Sequence, residues 1–149
     1  MKKISCNRFL YYLIPMIVTG IICIIGYIFI NGIPLFNVPE IEEVSYVEIS
    51  DSQLDIKSRK FTKVEDIEKA ISLTNFLYYS FGKPEQKEPL IKFSFHLKDG
   101  KSYVISSNEK TVFVNGKAYK LKGDNGKTFT NLTEGIFFFS EMVEKEKDK

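Results

Sequence analysis

The feature that most restricts this chain is an uncharged stretch of 22 residues, from Phe9 to Ile30. An α-helix rises about 1.5 Å per residue, so this stretch is about 33 Å long as a helix, which is enough to cross a hydrocarbon core about 30 Å thick. Only a helix or a closed barrel satisfies the backbone polar groups inside a bilayer. We therefore predict one transmembrane helix at residues 9–30, in contact with lipid.

The charges on either side of this stretch predict its orientation. Lys2, Lys3 and Arg8 precede it, and the next charged side chain is Glu40. Because basic residues accumulate on the cytoplasmic side, residues 1–8 are expected in the cytoplasm and the C-terminal part outside the cell membrane, as in a single-pass protein.

A removable signal peptide is the alternative interpretation of the same stretch. Secretory apolar regions are shorter, at about 7 to 15 residues, and end at a pair of small residues. Residues 31–34 read Asn-Gly-Ile-Pro and lack that pair. An uncleaved signal anchor is therefore the preferred reading, although cleavage is left open.

The remaining residues suffice for one domain with a single core. Two prolines in residues 31–39 indicate a short extended stalk, residues 40–143 form the predicted extracytoplasmic domain, and residues 144–149 form a charged tail. Both cysteines, Cys6 and Cys23, precede this domain, which therefore has no disulfide. A disulfide-free outer domain is more typical of a bacterial surface than of a eukaryotic exterior.

The first half of the domain reads as two strands and a helix. Val44 to Ser50 is rich in β-branched residues, and Leu54 to Phe61 contains a second candidate strand. Thr62 to Glu65 matches a capping box, which predicts a helix from Lys63 to about Tyr78. Helical spacing places four residues on its apolar face: Val64, Ile67, Ile71 and Thr74.

Alternation with a period of two begins at Leu90. It puts Phe93 and Phe95 on one face of a strand and His96 on the other. A two-residue loop at Asp99-Gly100 would misalign the apolar faces, so we prefer a three-residue loop, Lys98 to Gly100.

This loop pairs Phe93 with Ile105 and Phe95 with Tyr103. Asn115-Gly116 is a strong hairpin signal that pairs Val112 with Tyr119, so residues 90–121 are predicted as a four-stranded meander.

A second capping-box pattern at Asn131 to Glu134 predicts a C-terminal helix. Its expected apolar face consists of Leu132, Ile136, Phe139 and Val143. A strand from Gly135 to Phe139 is left open. The predicted fold class is α+β, a transmembrane helix followed by a small antiparallel-sheet domain with the approximate order β-β-α-β-β-β-β-α.

Candidate catalytic and metal-binding groups are few. His96 is the only histidine, and Ser94 shares its face without an identifiable supporting acid. One histidine and no cysteine in the domain disfavour a zinc site, and Gly126-Lys127-Thr128 lacks the first glycine of a phosphate loop. We predict no enzymatic activity, no catalytic residue, no metal and no cofactor.

Two sets of residues are candidate binding surfaces. Four aromatic residues lie within six positions at the end of the predicted helix, and they form a candidate partner-binding patch unless they only cover the sheet edge: Phe76, Tyr78, Tyr79 and Phe81. Residues 83–127 carry ten lysines and five acids within a chain of net charge +2. The candidate residues for an anionic surface are Lys92, Lys98, Lys101, Lys117 and Lys120, which could equally be solvated strand and turn lysines.

The order of anchor, strand and capped helix, followed by KFSFHLKDGKSYVI and VFVNGKAYKL, resembles small membrane-anchored domains of unknown function from Gram-positive bacteria. The resemblance covers about Ile41 to Phe139 and implies no reaction and no functional residues. The expected function is a binding or accessory module that is a partner of a membrane protein complex, such as a transporter or sensor. The alternative is a module that binds anionic wall polymer or lipid headgroups through the lysine-rich sheet. No nucleic acid is expected, and a small-molecule ligand is left open.

Overall fold

The computed structural model describes residues 6–139 and their side chains from Tyr11 onward. Three parts of the prediction lie outside the described residues: the tail at 144–149, Val143, and the first five residues of the predicted cytoplasmic segment. The chain divides into two compact units at Gly32, and each is described by itself.

The first unit is a single helix, α1, at Cys6–Asn31. Its segment Tyr11–Asn31 is 21 residues long with a mean hydropathy of 2.6, long and apolar enough to cross a membrane, although a signal sequence can share these properties. Pro15 lies inside the helix, where the Thr19 hydroxyl donates a 2.8 Å hydrogen bond to its carbonyl oxygen. This is the usual back-bond of a threonine hydroxyl to the residue four positions earlier in a helix.

The second unit is an α+β domain with an antiparallel sheet, as predicted. Its six-stranded sheet has the order β3-β2-β5-β6-β7-β8, and β1 and β4 form a separate two-stranded sheet. The strands are β1 (Ile33–Pro34), β2 (Val44–Asp51), β3 (Ile56–Phe61), β4 (Tyr78–Tyr79), β5 (Ile91–Leu97), β6 (Ser102–Ser107), β7 (Thr111–Val114) and β8 (Lys117–Lys120). The helices after α1 are a 3-10 turn at Ile41–Glu43, α2 (Val64–Thr74) and α3 (Asn125–Phe137).

The predicted meander and both of its hairpin registers are confirmed. Phe93 pairs with Ile105 and Phe95 with Tyr103, across a loop whose Gly100 has a φ of 85°. Val112 pairs with Tyr119 across the turn at Asn115-Gly116, where both residues have positive φ. These registers are fixed locally, because loop length and the sign of φ determine which residues face one another.

Helix α2 differs from its prediction at both ends. The helix begins after Lys63 without a side-chain cap, so the predicted Thr62 cap is wrong. Strand β3 extends to Phe61, and the chain needs the next two residues to leave the sheet. The helix ends at Thr74 rather than near Tyr78, because Leu77 is fully buried and the residues after it pair with β1.

Its buried face also differs in part from the prediction. Ile67 and Thr74 are buried as expected, and Ala70 and Leu73 join them. Val64 is 64% exposed, so its predicted place on the apolar face is wrong.

Helix α3 begins at Asn125, six residues before the predicted capping box. Gly126 allows this early start, because a Cβ there would lie 2.4 Å from the Asn108 carbonyl oxygen. The rotation set by this contact buries Phe129, Phe137 and the polar Thr130, Thr133 and Glu134.

The predicted apolar face of α3 is therefore wrong at two positions, since Ile136 is 46% and Phe139 65% exposed, while Leu132 is partly buried. The alternative strand is wrong for residues 135–137, which are helical.

The predicted stalk at 31–39 is mostly part of the folded domain. Asn31 ends α1, and Ile33–Pro34 pairs with Tyr78–Tyr79. Leu35 and Val38 pack against the core. The apolar side chains of this segment explain the difference, because their burial lowers the free energy of the folded chain. The prolines still allow short strand pairing at a sheet edge.

The core lies between one face of the six-stranded sheet and the helices α2 and α3. Its largest fully buried side chains come from both layers: Phe93, Phe95, Ile49, Ile91, Ile105, Leu77, Phe129 and Phe138. The opposite face of the sheet carries the alternate residues of the same strands, and we call it the outer face.

Candidate functional site

The four aromatic residues that were predicted as one patch are divided between different surfaces. Tyr78 and Tyr79 are consecutive in β4 and so point to opposite sides of the strand. Phe76 follows the last residue of α2, Thr74, by two positions. Phe81 lies after β4 and is 65% exposed. The structure therefore does not bring the four rings together, and the two surfaces that receive Tyr79 and Phe76 are separate.

Tyr79 lines a cavity of about 350 Å³ that we call the tyrosine pocket. Its lining consists of Leu35, Phe36, Asn37, Tyr79, Tyr103, Val114, Asn115, Lys117 and Tyr119. Four segments of the chain meet here: the residues after β1, strand β4, strand β6, and the β7–β8 hairpin.

Ring contacts and one hydrogen bond hold the walls of the tyrosine pocket. The Tyr79 ring lies 5.1 Å from the Tyr119 ring and 6.5 Å, edge to face, from the Phe36 ring. The Tyr103 hydroxyl donates a 3.0 Å hydrogen bond to the Phe36 carbonyl oxygen. This bond fixes the chain after β1 against the sheet.

The polar groups of the pocket are mainly hydrogen-bond donors. Burial raises the pKa of Tyr103 and of Tyr79, and the nearby Tyr119 adds to both increases, so their hydroxyls stay protonated at neutral pH. Asn115 Oδ1 accepts the Val104 N–H at 2.8 Å, which leaves the amide NH₂ group for another partner. Lys117 adds a positive charge, and none of the described residues lining the pocket is acidic.

Phe76 lines a second depression, of about 360 Å³, that we call the helical groove. It lies between α2 and α3 and is lined by Glu68, Lys69, Ser72, Leu73, Phe76, Leu132 and Ile136. Phe76 and Ile136 are each 46% exposed. These two residues extend the apolar core to the surface between two helices.

The candidate lysines do not form one surface. Lys92 and Lys120 lie toward the end of the sheet where β5 begins, and the register places the other three at the opposite end. Lys101 Nζ contacts Asp99 Oδ2 at 2.7 Å, which raises the pKa of Lys101 and lowers that of Asp99. Only Lys117 lines the tyrosine pocket.

The outer face contains a cluster around His96 that the sequence reasoning missed. The His96 ring stacks on Tyr46 with centroids 4.3 Å apart, and Lys60 Nζ lies 3.7 Å from the centre of the Tyr46 ring. Glu48 Oε2 is 3.5 Å from His96 Nε2, without the alignment of a hydrogen bond. Ser102 Oγ is 3.4 Å from His96 Nδ1.

This cluster supplies the acid that the sequence did not identify, and it replaces Ser94 with Ser102 as the serine nearest to the histidine. The predicted hairpin register already placed Ser102 opposite His96, and that was the available signal. Both contacts to His96 are at or beyond the limit for a hydrogen bond. The described backbone around His96 is engaged in the β2–β5 and β5–β6 pairs, and this arrangement offers no evident oxyanion site.

No group of three or more His, Cys, Asp or Glu side chains within residues 6–139 is arranged to hold a metal ion. Asp51 is fully buried, and its Oδ1 accepts the N–H groups of Gln53 and Leu54 in the β2–β3 turn. The cleft beside it is lined by two lysines, Lys57 and Lys92, as well as by Asp55.

In comparisons with protein-family models, curated proteins and solved structures, this chain matches none.

Proposed function

We propose that this chain is a single-pass, membrane-anchored binding or accessory module of a Gram-positive bacterium, with its domain outside the cell, and that its partner is a membrane protein complex such as a transporter or sensor. The uncharged segment 9–30 of helix α1 and the basic residues before that segment support the anchor and its orientation. The domain has its own core and two sizeable surface depressions, which suit a module that acts through contacts.

The helical groove is the observation that carries the choice of a protein partner. Exposed Phe76 and Ile136 offer apolar area on two packed helices, and charged Glu68 and Lys69 border it. An apolar centre with a polar rim is the usual composition of a protein–protein contact site. An apolar helix of the partner would fit this groove.

The alternative function, binding of anionic wall polymer or lipid headgroups through the lysines of the sheet, has weaker support. Its five candidate lysines lie at both ends of the sheet, and Lys101 contacts Asp99. Cationic side chains that are spread in this way give a weak local potential, and salt screens exposed charges over about 10 Å.

Anchoring and orientation are tested in intact cells and isolated membranes. The full chain should remain in the membrane after alkaline carbonate extraction. Added protease should digest the domain, whereas an impermeant thiol reagent should leave Cys6 unlabelled. Release by carbonate would contradict the anchor, and a protease-protected domain would contradict the orientation.

The helical groove is tested with the double variant Phe76→Ser and Ile136→Ser in the full chain. Native electrophoresis of mildly solubilised membranes should show the wild-type chain in a large assembly. The amount of the double variant in that assembly should be at least about tenfold lower, because the two contact residues together are expected to contribute more than about 1.4 kcal/mol to binding.

The matched control is Val64→Ser, which changes an apolar residue that is 64% exposed and does not line the groove. It should leave the assembly intact. Retention of the assembly by the double variant would reject the groove as the contact site. Dissociation by salt, or by charge reversal of the candidate lysines, would favour the polymer alternative.

A further inference from the structure

The tyrosine pocket is built partly from the chain that leaves α1. Leu35, Phe36 and Asn37 line it, and Leu35 follows the last residue of α1, Asn31, by only four positions. Four residues of extended chain span at most about 14 Å. Headgroup and interfacial regions add about 5 to 7 Å on each side of the hydrocarbon core. If α1 spans the bilayer, as the proposed function holds, one wall of the pocket must lie within a short distance of the headgroups.

This wall is fixed to the domain at two points. Ile33 and Pro34 pair with Tyr79 and Tyr78, and the Phe36 carbonyl oxygen accepts the Tyr103 hydroxyl. Residues 33–36 are therefore held within the domain by strand pairing and a hydrogen bond.

The chemistry of the lining suits an anion that carries an apolar portion. Lys117 is cationic, and the Asn115 amide and the hydroxyls of Tyr79 and Tyr119 can donate hydrogen bonds. Phe36, which is 60% exposed, offers apolar area at the rim. Tyrosine and phenylalanine are also the side chains that bilayer interfaces favour, since their rings are apolar and the tyrosine hydroxyl can stay hydrated.

We propose that the tyrosine pocket binds the headgroup of an anionic phospholipid from the leaflet at which α1 ends. Lys117 and Asn115 contact the phosphate, the hydroxyls of Tyr79 and Tyr119 donate to its oxygens, and the diacylglycerol end packs on Phe36. A volume of about 350 Å³ lies within the range of small-ligand sites, about 300 to 1,000 Å³. The site is distinct from the helical groove, so one module would contact both lipid and a protein partner.

The test uses the full chain in lipid nanodiscs, with amide chemical shifts as the readout. Discs of phosphatidylcholine are compared with discs that contain rising fractions of phosphatidylglycerol. We expect saturable shifts at Phe36 and at residues 114–117. Lys117→Glu should lower the apparent affinity about tenfold, because each lysine near an anionic surface contributes about 1 kcal/mol and the change replaces attraction by repulsion.

Lys110→Glu is the matched control. It makes the same charge change at an exposed turn lysine beyond the other end of β7, so it should keep the shifts. Equal loss in the two variants would overturn the proposal in favour of general charge attraction. The same shifts with inorganic phosphate in phosphatidylcholine discs would also overturn it, because the site would then recognise a soluble anion. A chain that is released by carbonate refutes the anchor, whereas a stably anchored chain without these shifts refutes only the headgroup site.

Discussion

The two faces of the six-stranded sheet differ in what holds them together. Along β5, Phe93 and Phe95 are fully buried against the helices, while His96 on the outer face stacks on Tyr46 and lies near Glu48. The core face is stabilised by apolar area removed from water, at roughly 25 cal/mol per Å². The outer face has only contacts between neighbouring strands, each worth roughly 0.2 to 1 kcal/mol.

This difference indicates which positions of the domain can carry binding residues without loss of stability. A core residue is constrained by many neighbours at once, and changing it affects the whole domain. An outer-face cluster or a pocket at the sheet edge depends on a few pairs that register brings together. Such positions can change without loss of the fold. Apart from the buried Tyr103 and Leu73, both candidate binding depressions are lined by residues of this partly exposed kind.

The largest expected effect separates two adjacent residues of β5. Phe95→Ala should lower the free energy of unfolding by about 3 to 5 kcal/mol, because it removes a fully buried ring from the core. His96→Ala should lower it by about 1 kcal/mol or less, since the outer face loses a stacked ring pair. Urea unfolding of each variant measures both values. Equal losses would mean that the two faces of the sheet contribute equally to the free energy of unfolding.

Elements that are determined by nearby residues could be predicted from the sequence. The β5–β6 and β7–β8 registers were correct because glycine at the turns and strict alternation specify them within about 15 residues. The long apolar helix was also evident from composition alone. In these cases no distant contact was needed.

The helix boundaries could not be predicted in the same way, because contacts distant in sequence determine them. Leu77 ends α2 by entering the core, and Gly126 starts α3 early by packing on the turn at residues 108–109. The tyrosine pocket was missed for the same reason, since it joins segments from residues 35 to 119. Tyr79 was identified as a candidate, but the residues it would meet were not.

The second largest effect tests how tightly helix α3 packs against the rest of the domain. Gly126→Ala should cost about 1 to 3 kcal/mol, because its Cβ would meet the backbone of the 108–109 turn at 2.4 Å. Gly135→Ala, in the same helix, meets nothing within 4 Å and should stabilise the domain by about 0.5 to 1 kcal/mol. Thermal unfolding of the pair should shift in opposite directions, and a tolerated alanine at 126 would show that α3 can move away from the turn.

The smallest effect concerns Tyr103, a mostly buried residue of the core face whose hydroxyl reaches the Phe36 carbonyl oxygen in the tyrosine pocket wall. Tyr103→Phe should cost about 0.5 to 1.5 kcal/mol at neutral pH, the usual net value of one hydrogen bond. Burial, with a smaller effect of Tyr119, raises the pKa of Tyr103 in the folded state.

Both the folded and the unfolded chain hold the Tyr103 proton below about pH 10, the ordinary tyrosine value. Above it the unfolded chain loses that proton first, so the wild type loses stability as pH rises toward the higher folded pKa. The phenylalanine variant lacks this ionisation, and the stability gap between the two proteins should therefore narrow from about pH 10 upward. Urea midpoints measured on both proteins at pH 8 and at several alkaline values give this gap directly. A constant gap would show that the folded domain does not shift the pKa of Tyr103, and Tyr103 would then lie in surroundings as water-like as those of the outer face.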